Sequence, residues 1–488
     1  MQVVETWARH AAVVMLLLGT LAHLVLRAGL LNDPRVDLGG AEINVVYGVQ
    51  KLVDGRPLYS DPEQPPFEAI QLAPLYHVLV SGMARVSGVG PLDTQGLYFV
   101  SRSQALALNL LTALLVLLLC RKNGANLGLS IALACIGFAL LTEHFYGRSD
   151  ALSTPLMLAA CLVLAEVNAS LLSWRRSFAV AVFSALAVLT KQTAVILPLF
   201  VAVHFMVQRD WRSLARFAIA GAGAAVLALG LLSCMASPDV LWKNLVVAVR
   251  NGIEPSMYKE LFDRGVYKYH VGWHAIALLA PMLLVRRGRP LASLFGLAAG
   301  LAFVAGALGG LKSGSSLNYL VDGLLLALVA AVFLIKQAPE RWQPWAHMAL
   351  LGYGLLFMQH RVRLLDARVG DDAQRATHAF SLDSDRRTAA FLRDSLRLGA
   401  EDHVMITYRG HLELLLNGQG LLPQKDIIQW STEPPFDLHR LKEMLDQGQV
   451  RAVVTDAPAD TLRLLSWRHA LVPIAQVNGR WVFAIKSN

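Results

Sequence analysis

Two carboxylates, Asp37 and Glu42, follow the first long apolar run of the chain, in the stretch Asp37-Leu-Gly-Gly-Ala-Glu42-Ile-Asn-Val-Val-Tyr47. At a water boundary such groups suit general-base work, because a carboxylate within hydrogen-bond reach can take the proton of an attacking hydroxyl. The plain alternative is a pair of solvated loop acids that favour a helix N-terminus. Other ionisable or polar residues sit at the ends of later apolar runs: Arg148 and Asp150, Lys191 with Gln192, Lys312, and Asn318 with Tyr319. Arg102 falls inside one, where it is expected to meet Glu143 or a loop carboxylate. Charges at or inside a membrane span are costly and are functional candidates by default. The competing readings are snorkelling at the interface, an Arg148–Asp150 ion pair, and an aromatic-belt position for Tyr319.

The elements that must position these residues are membrane spans. The chain has 488 residues, 55% of them hydrophobic and 16% charged, with a mean hydropathy of +0.47. Soluble domains carry roughly 25% charge, so this chain lacks the polar surface to face water everywhere. Apolar runs at 10–31, 97–120, 126–146, 151–170, 177–190, 193–208, 213–234, 272–285, 290–310, 319–336 and 343–359 predict about eleven spanning helices. The first lacks a small-residue cleavage site and reads as an uncleaved helix. Arg121 with Lys122, Arg175 with Arg176, Arg209 with Arg212 and Arg216, Arg286 with Arg287 and Arg289, and Lys336 with Arg341 mark every second connection. Short basic connections belong on the cytoplasmic side, which puts the N-terminus inside and the long 32–96 and 235–271 loops outside. Arg148, Asp150, Lys191, Lys312 and Asn318 then all fall at outer ends of spans. The net charge of +9 is a topology signal, and no nucleic-acid partner is expected.

After a membrane module at 1–360, residues 361–488 read as a small soluble α/β domain on the outer face. It has a helix at 384–398, another at 437–448, and strands at His403–Tyr408, Val450–Thr455 and Trp481–Lys486. Nothing in it has a catalytic signature, and it reads as a lid or acceptor-binding module. A short helix after Glu42 is expected to lay Val45, Val46 and Val49 on the membrane interface. Cys120, Cys135, Cys161 and Cys234 have neither disulfide-framework nor metal-ligand spacing.

A set of motifs carries a family resemblance. Glu42 is followed by Gly55, by Leu58-Tyr59-Ser-Asp-Pro62, and by Pro74-Leu-Tyr76 entering an apolar run. Further along come Gly147-Arg148-Ser-Asp150, Leu189-Thr-Lys191-Gln192 and Lys312-Ser-Gly-Ser-Ser-Leu-Asn318-Tyr319. In this order, over about residues 10–330, they resemble the GT-C membrane glycosyltransferases, in particular the family 39-like group of protein O-mannosyltransferases and the lipid A aminoarabinose transferase. Members often carry adjacent Asp-Glu in the first loop, whereas Ala41-Glu42 stands here.

The resemblance implies a polytopic α-helical, GT-C-like protein of a bacterial inner membrane, with a periplasmic C-terminal domain. It implies transfer of a sugar from a polyprenyl-phosphate donor to the hydroxyl of a glycan, lipid or protein acceptor, with inversion. Glu42 is the implied base, with Asp37 as the alternative. Lys191, Arg148 and Lys312 are the implied phosphate-binding cations, since the leaving group gains negative charge. Tyr59, Tyr76, Asp150, Gln192, Asn318, Tyr319 and Arg102 support them. The 235–271 loop, with Trp242, Tyr258, Tyr267 and Tyr269, is placed to cover a lipid groove. No cofactor is required; a divalent metal between Asp37 and Glu42 would be chemically reasonable, but no cluster demands one. The rival functions are a transporter or flippase for a lipid-linked glycan, which would carry its charges near the bilayer midplane, and a non-catalytic scaffold.

Overall fold

A computed structural model describes residues 2–33, 42–144, 147–166, 172–250, 252–253, 267–286, 289–312, 318–370, 372–399, 401–408, 410–423, 436–456 and 470–486. The chain divides into two compact units. One comprises 1–31, 102–230 and 253–370; the other comprises 32–101, 231–252 and 371–488.

The first unit is helical. Each of the eleven apolar runs coincides with a helix: α1 (Gln2–Gly29), α4 (Thr94–Lys122), α5 (Leu127–Leu140), α6 (Asp150–Ala165), α7 (Trp174–Thr190), α8 (Ile196–Gln208), α9 (Trp211–Ser233), α11 (Tyr267–Leu284), α12 (Pro290–Gly309), α13 (Asn318–Gln337) and α14 (Gln343–Gly370). Among the described residues, five helices (α1, α4, α9, α12 and α13) are long and apolar enough to cross a membrane, and shorter apolar helices accompany them. Local chemistry sets the boundaries. Asn126 and Ser173 cap α5 and α7 by accepting the backbone N–H groups of Leu129 and Arg176. Thr190 ends α7, and Lys191 takes an extended backbone (φ −152°, ψ 127°) before a 3-10 turn, Gln192–Val195, leads into α8. The charge pattern that separates 177–190 from 193–208 thus marks a real helix break.

Packing in this unit follows small residues. α6 lies along α7, and α12 along α13. A side chain added to Gly306 would collide with the backbone of Tyr319, and one on Gly323 would come within 2.7 Å of the backbone of Phe303. Such close helix approach is what glycine permits where lipid supplies no hydrophobic drive. It places the first turn of α13, with Asn318 and Tyr319, firmly against α12.

The second unit joins the two long loops to the C-terminal segment. It contains α2 (Glu42–Val53), α3 (Leu75–Val86), α10 (Pro238–Trp242) with a π-helical turn at Lys243–Val247, α15 (Asp372–Asp394), α16 (Leu412–Leu416) and α17 (His439–Asp446). Its sheet has the order β2-β1-β3-β5-β4, formed by β1 (His403–Ile406), β2 (Gly420–Leu421), β3 (Val450–Thr455), β4 (Ala470–Val477) and β5 (Arg480–Lys486). β1 runs parallel to β2 and β3, and β5 antiparallel to β3 and β4. The three expected strands and both expected helices are present. β4 contains Pro473, which argues against a strand, yet it lies at the sheet edge and shifts register at Pro473/Ala475, where a missing donor is tolerated.

The first loop is part of this core. Phe67, fully buried at a positive φ of 59°, packs with Met405, Leu421, Leu441, Val453 and Phe483. Leu422 N donates to Pro66 O at 2.7 Å. Val45, Val46 and Val49 are fully buried, so α2 presents no interfacial valine face. Instead α2 packs between α3 and α16, and Gln50 Nε2 donates to Leu414 O at 2.8 Å. Asp385 of α15 is also fully buried, accepting from Tyr408 Oη (2.6 Å), His411 N (2.7 Å) and Arg480 Nε (2.8 Å). Burial and the neighbouring Asp385 carboxylate push the Tyr408 phenol well above its usual range. Removing the Phe67 ring should cost about 3–5 kcal/mol, as for other buried aromatics. Hydrogen exchange of Phe67→Ala should show lost protection in β1 and β3; unchanged protection would mean that the loop is a passive neighbour of the sheet.

Candidate functional site

In the helical unit, three sequence motifs converge at the ends of α6, α7 and α13. Lys191 Nζ pairs with Asp150 Oδ1, and Asn318 Nδ2 donates to the same oxygen at 3.1 Å. The Lys191 ammonium lies 4.4 Å from the centroid of the Tyr319 ring, a cation–π contact. Lys191 and Asp150 are 8% and 5% exposed, so this is a buried pair. Arg148, just before α6 and half-buried, acts electrostatically on Asp150. Asp150 thus takes Lys191 as a direct partner alongside its electrostatic interaction with Arg148.

The other end of the same helices has opposite character. Lys122 donates to Glu166 at 2.8 Å, Arg176 Nη1 donates to Glu166 O at 3.2 Å, and Lys336 Nζ donates to Asn123 O at 2.7 Å. The basic connections therefore gather at the C-terminal ends of α4, α6 and α13 and the start of α7, a full helix length from Lys191.

The remaining candidates of this unit stand apart in role. Gln192 opens the 3-10 turn next to Lys191. Lys312 follows α12, where its backbone bridges Ile253. Arg102 is fully buried and donates from Nη1 to Leu30 O at 2.5 Å, at the end of α1; the Glu143 side chain lies outside the described residues.

In the second unit Glu42 opens α2 and is 1% exposed, so it is not a solvated loop acid. Its place in the first turn favours a negative charge through the helix dipole. Tyr76, fully buried, donates from its hydroxyl to Ser101 O at 3.1 Å. Burial raises the Tyr76 phenol pKa, and the Glu42 carboxylate adds to that rise. The Tyr59 hydroxyl donates to Leu72 O at 2.9 Å, and Gly55 takes the positive φ of 79° that its turn requires. Asp37 lies outside the described residues, as does Tyr258. Among the described residues, no group of three His, Cys, Asp or Glu side chains is arranged to hold a metal ion.

Several polar residues carry no motif and emerge from tertiary contact alone. Glu68 takes hydrogen bonds from Tyr47, Lys51 and Ser60, stapling α2 to the loop that carries Tyr59. Asn244, fully buried, donates to Ser60 O and accepts from Ile70 N. It pins the first loop to the second, while Lys243 pairs with Asp61, Glu63 and Asp239. In the helical unit Thr154 Oγ1 donates to Asp322 Oδ1 at 2.6 Å, with His144 beside Thr154 and Asn318. Asp322 did leave a signal, as an acid within an otherwise apolar run.

The fold is that of the GT-C membrane glycosyltransferases, as the resemblance implies. The chain is similar to ArnT from Cupriavidus metallidurans bound to undecaprenyl phosphate, with a TM-score of 0.62 and 14% identity, covering 95% of this chain and 97% of that one. The apo state of the same protein matches with a TM-score of 0.62, also at 14% identity, over 96% and 98%. The archaeal oligosaccharyltransferase AglB from Archaeoglobus fulgidus, in complex with an inhibitory peptide and a dolichol-phosphate, matches with a TM-score of 0.55 and 10% identity, over 97% of this chain and 74% of that one. At such identities the likeness carries the fold. No family model matches the sequence, and no curated protein matches it significantly.

Asp150→Asn should cost about 3–5 kcal/mol, because it strands the Lys191 charge in a buried site. Thermal unfolding in detergent should show this loss, and Asp150→Asn/Lys191→Met should recover most of it. Equal stability of wild type and Asp150→Asn would refute the buried pair.

Proposed function

We propose that the protein transfers a sugar from a polyprenyl-phosphate-linked donor to an acceptor hydroxyl on the outer, periplasmic face of a bacterial inner membrane, with inversion. The observation that carries this reading is the convergence of Lys191, Asp150, Asn318 and Tyr319 at one end of the helices, opposite the basic connections. The basic end suits the cytoplasmic side, a reading under which the Lys191 cluster faces outward. Support for the ligand class comes from the similar structures, which hold undecaprenyl phosphate in one case and dolichol-phosphate in the other.

The chemistry follows from the residues. Glu42, or Asp37 in its place, accepts the proton of the acceptor hydroxyl as its oxygen attacks the anomeric carbon. The bond from that carbon to the phosphate oxygen breaks, and its electron pair leaves with the polyprenyl phosphate. Lys191, with Arg148 and Lys312, stabilises the charge that develops there. Attack by a hydroxyl without a covalent intermediate inverts the anomeric centre. A transporter of lipid-linked glycan would carry its ionisable groups near the bilayer midplane, so the depth of Lys191 in the membrane separates the two readings.

The test is turnover of purified protein in lipid, given a polyprenyl-phosphate sugar and envelope acceptors, with released polyprenyl phosphate as the readout. Glu42→Gln should lower kcat at least about 100-fold, the usual scale for a general base. Wild-type rates for both Glu42→Gln and Asp37→Asn would overturn the base assignment. Passage of intact donor across the bilayer without sugar release would favour the transporter. Mass spectrometry of envelope glycans from a deletion strain would identify the acceptor.

A further inference from the structure

Below the Lys191 cluster lies a second polar layer, one helical turn further into the spans. Asp150 and Thr154 are four residues apart on α6, and Asn318 and Asp322 four apart on α13, so each pair shares a helix face. Two rungs result: Asn318 donates to Asp150 at 3.1 Å, and Thr154 donates to Asp322 at 2.6 Å. The acid sits on α6 in the first rung and on α13 in the second. His144, fully buried, touches both, with Nδ1 3.4 Å from Thr154 Oγ1 and Nε2 3.5 Å from Asn318 O.

We propose that Thr154 is a positioning residue that holds the Asp322 carboxylate away from Lys191, so that the lysine stays paired with one acid and keeps charge for an anionic ligand. The inference rests on the function proposed above and assigns the second rung a role in it. Asp322 is near enough to act electrostatically on Lys191. A half-buried carboxylate between apolar helices draws on the donors around it; here the Thr154 hydroxyl holds it, and the His144 imidazole and the Lys191 ammonium are near enough to act on it electrostatically. With the hydroxyl in place the lysine faces one carboxylate directly. Without it, Asp322 turns to the ammonium, and two acids then compete with an incoming phosphate.

This logic predicts a sign reversal that a packing role does not. Thr154→Val, which keeps the volume and removes the donor, should raise the KM for the polyprenyl-phosphate sugar about tenfold with little change in kcat. Thr154→Ser should behave as wild type. Adding Asp322→Asn to Thr154→Val should return KM toward the wild-type value, because the released acid is gone. A double variant as impaired as Thr154→Val, or worse, would overturn the proposal, as would Thr154→Val with an unchanged KM. Direct binding of undecaprenyl phosphate to the full-length variants, followed by native mass spectrometry, should rank them in the same order and does not depend on turnover. If wild type neither binds that lipid nor transfers sugar, the functional reading itself fails and this inference falls with it. If wild type does both and the reversal is absent, the second rung alone is misassigned.

Discussion

A charged amine at the end of an apolar helix must find a partner, and that requirement organises the helical unit. Lys191 meets it with Asp150 of α6, itself held by Asn318, and with the ring of Tyr319 of α13. The consecutive helices α6 and α7 are thereby fixed at one end to α13, which is 168 residues on by the Asp150–Asn318 separation. The helix break at Lys191 is part of the same device, since it sets the ammonium beside Asp150 and the ring of Tyr319 at the junction of α7 and the 3-10 turn. Gly306 and Gly323 let α12 and α13 approach closely enough to keep Asn318 and Tyr319 where the pair needs them. Stability and proposed function draw on the same contacts here: the acid that makes the buried lysine tolerable also sets how much of its charge an anion can use.

The second unit shows a different constraint. The C-terminal segment does not close its own core, because the first loop supplies Phe67 to it and the second loop pins the first through Asn244. Glu42 and Tyr76 are carried on that same unit, stapled by Glu68, Lys51 and Tyr47. A residue held on such a platform is positioned by a packed core, which loops alone do not provide. The C-terminal segment is thus structural support for the loop that bears Glu42.

Much of this was legible in the chain. Apolar runs marked every helix of the first unit, because residues that face lipid or pack on apolar neighbours must be apolar over a whole span. Paired arginines and lysines marked the opposite end, and Thr190-Lys191-Gln192 marked the break. Three strands were legible as short β-branched runs. What escaped depends on contacts across long sequence separations. Phe67 reads as an ordinary loop aromatic until the sheet is built around it. Val45, Val46 and Val49 have the pattern of an interfacial helix, yet they are buried in a unit where α2 packs on α3 and also meets α16, 364 residues on by the Gln50–Leu414 separation. Pro473 disguises β4 because edge position cannot be read from one strand. Thr154 and Asp322 form a rung because α6 and α13 are neighbours, which no local pattern announces.

The central claim is that the Lys191 cluster receives the phosphate of a lipid-linked substrate. A structure of the full chain in lipid with bound polyprenyl phosphate tests it most directly. The account predicts a phosphate oxygen within hydrogen-bond distance of Lys191 Nζ, with Asp150 still held by Asn318. A well-ordered phosphate bound elsewhere, with Lys191 unchanged on Asp150, would contradict it.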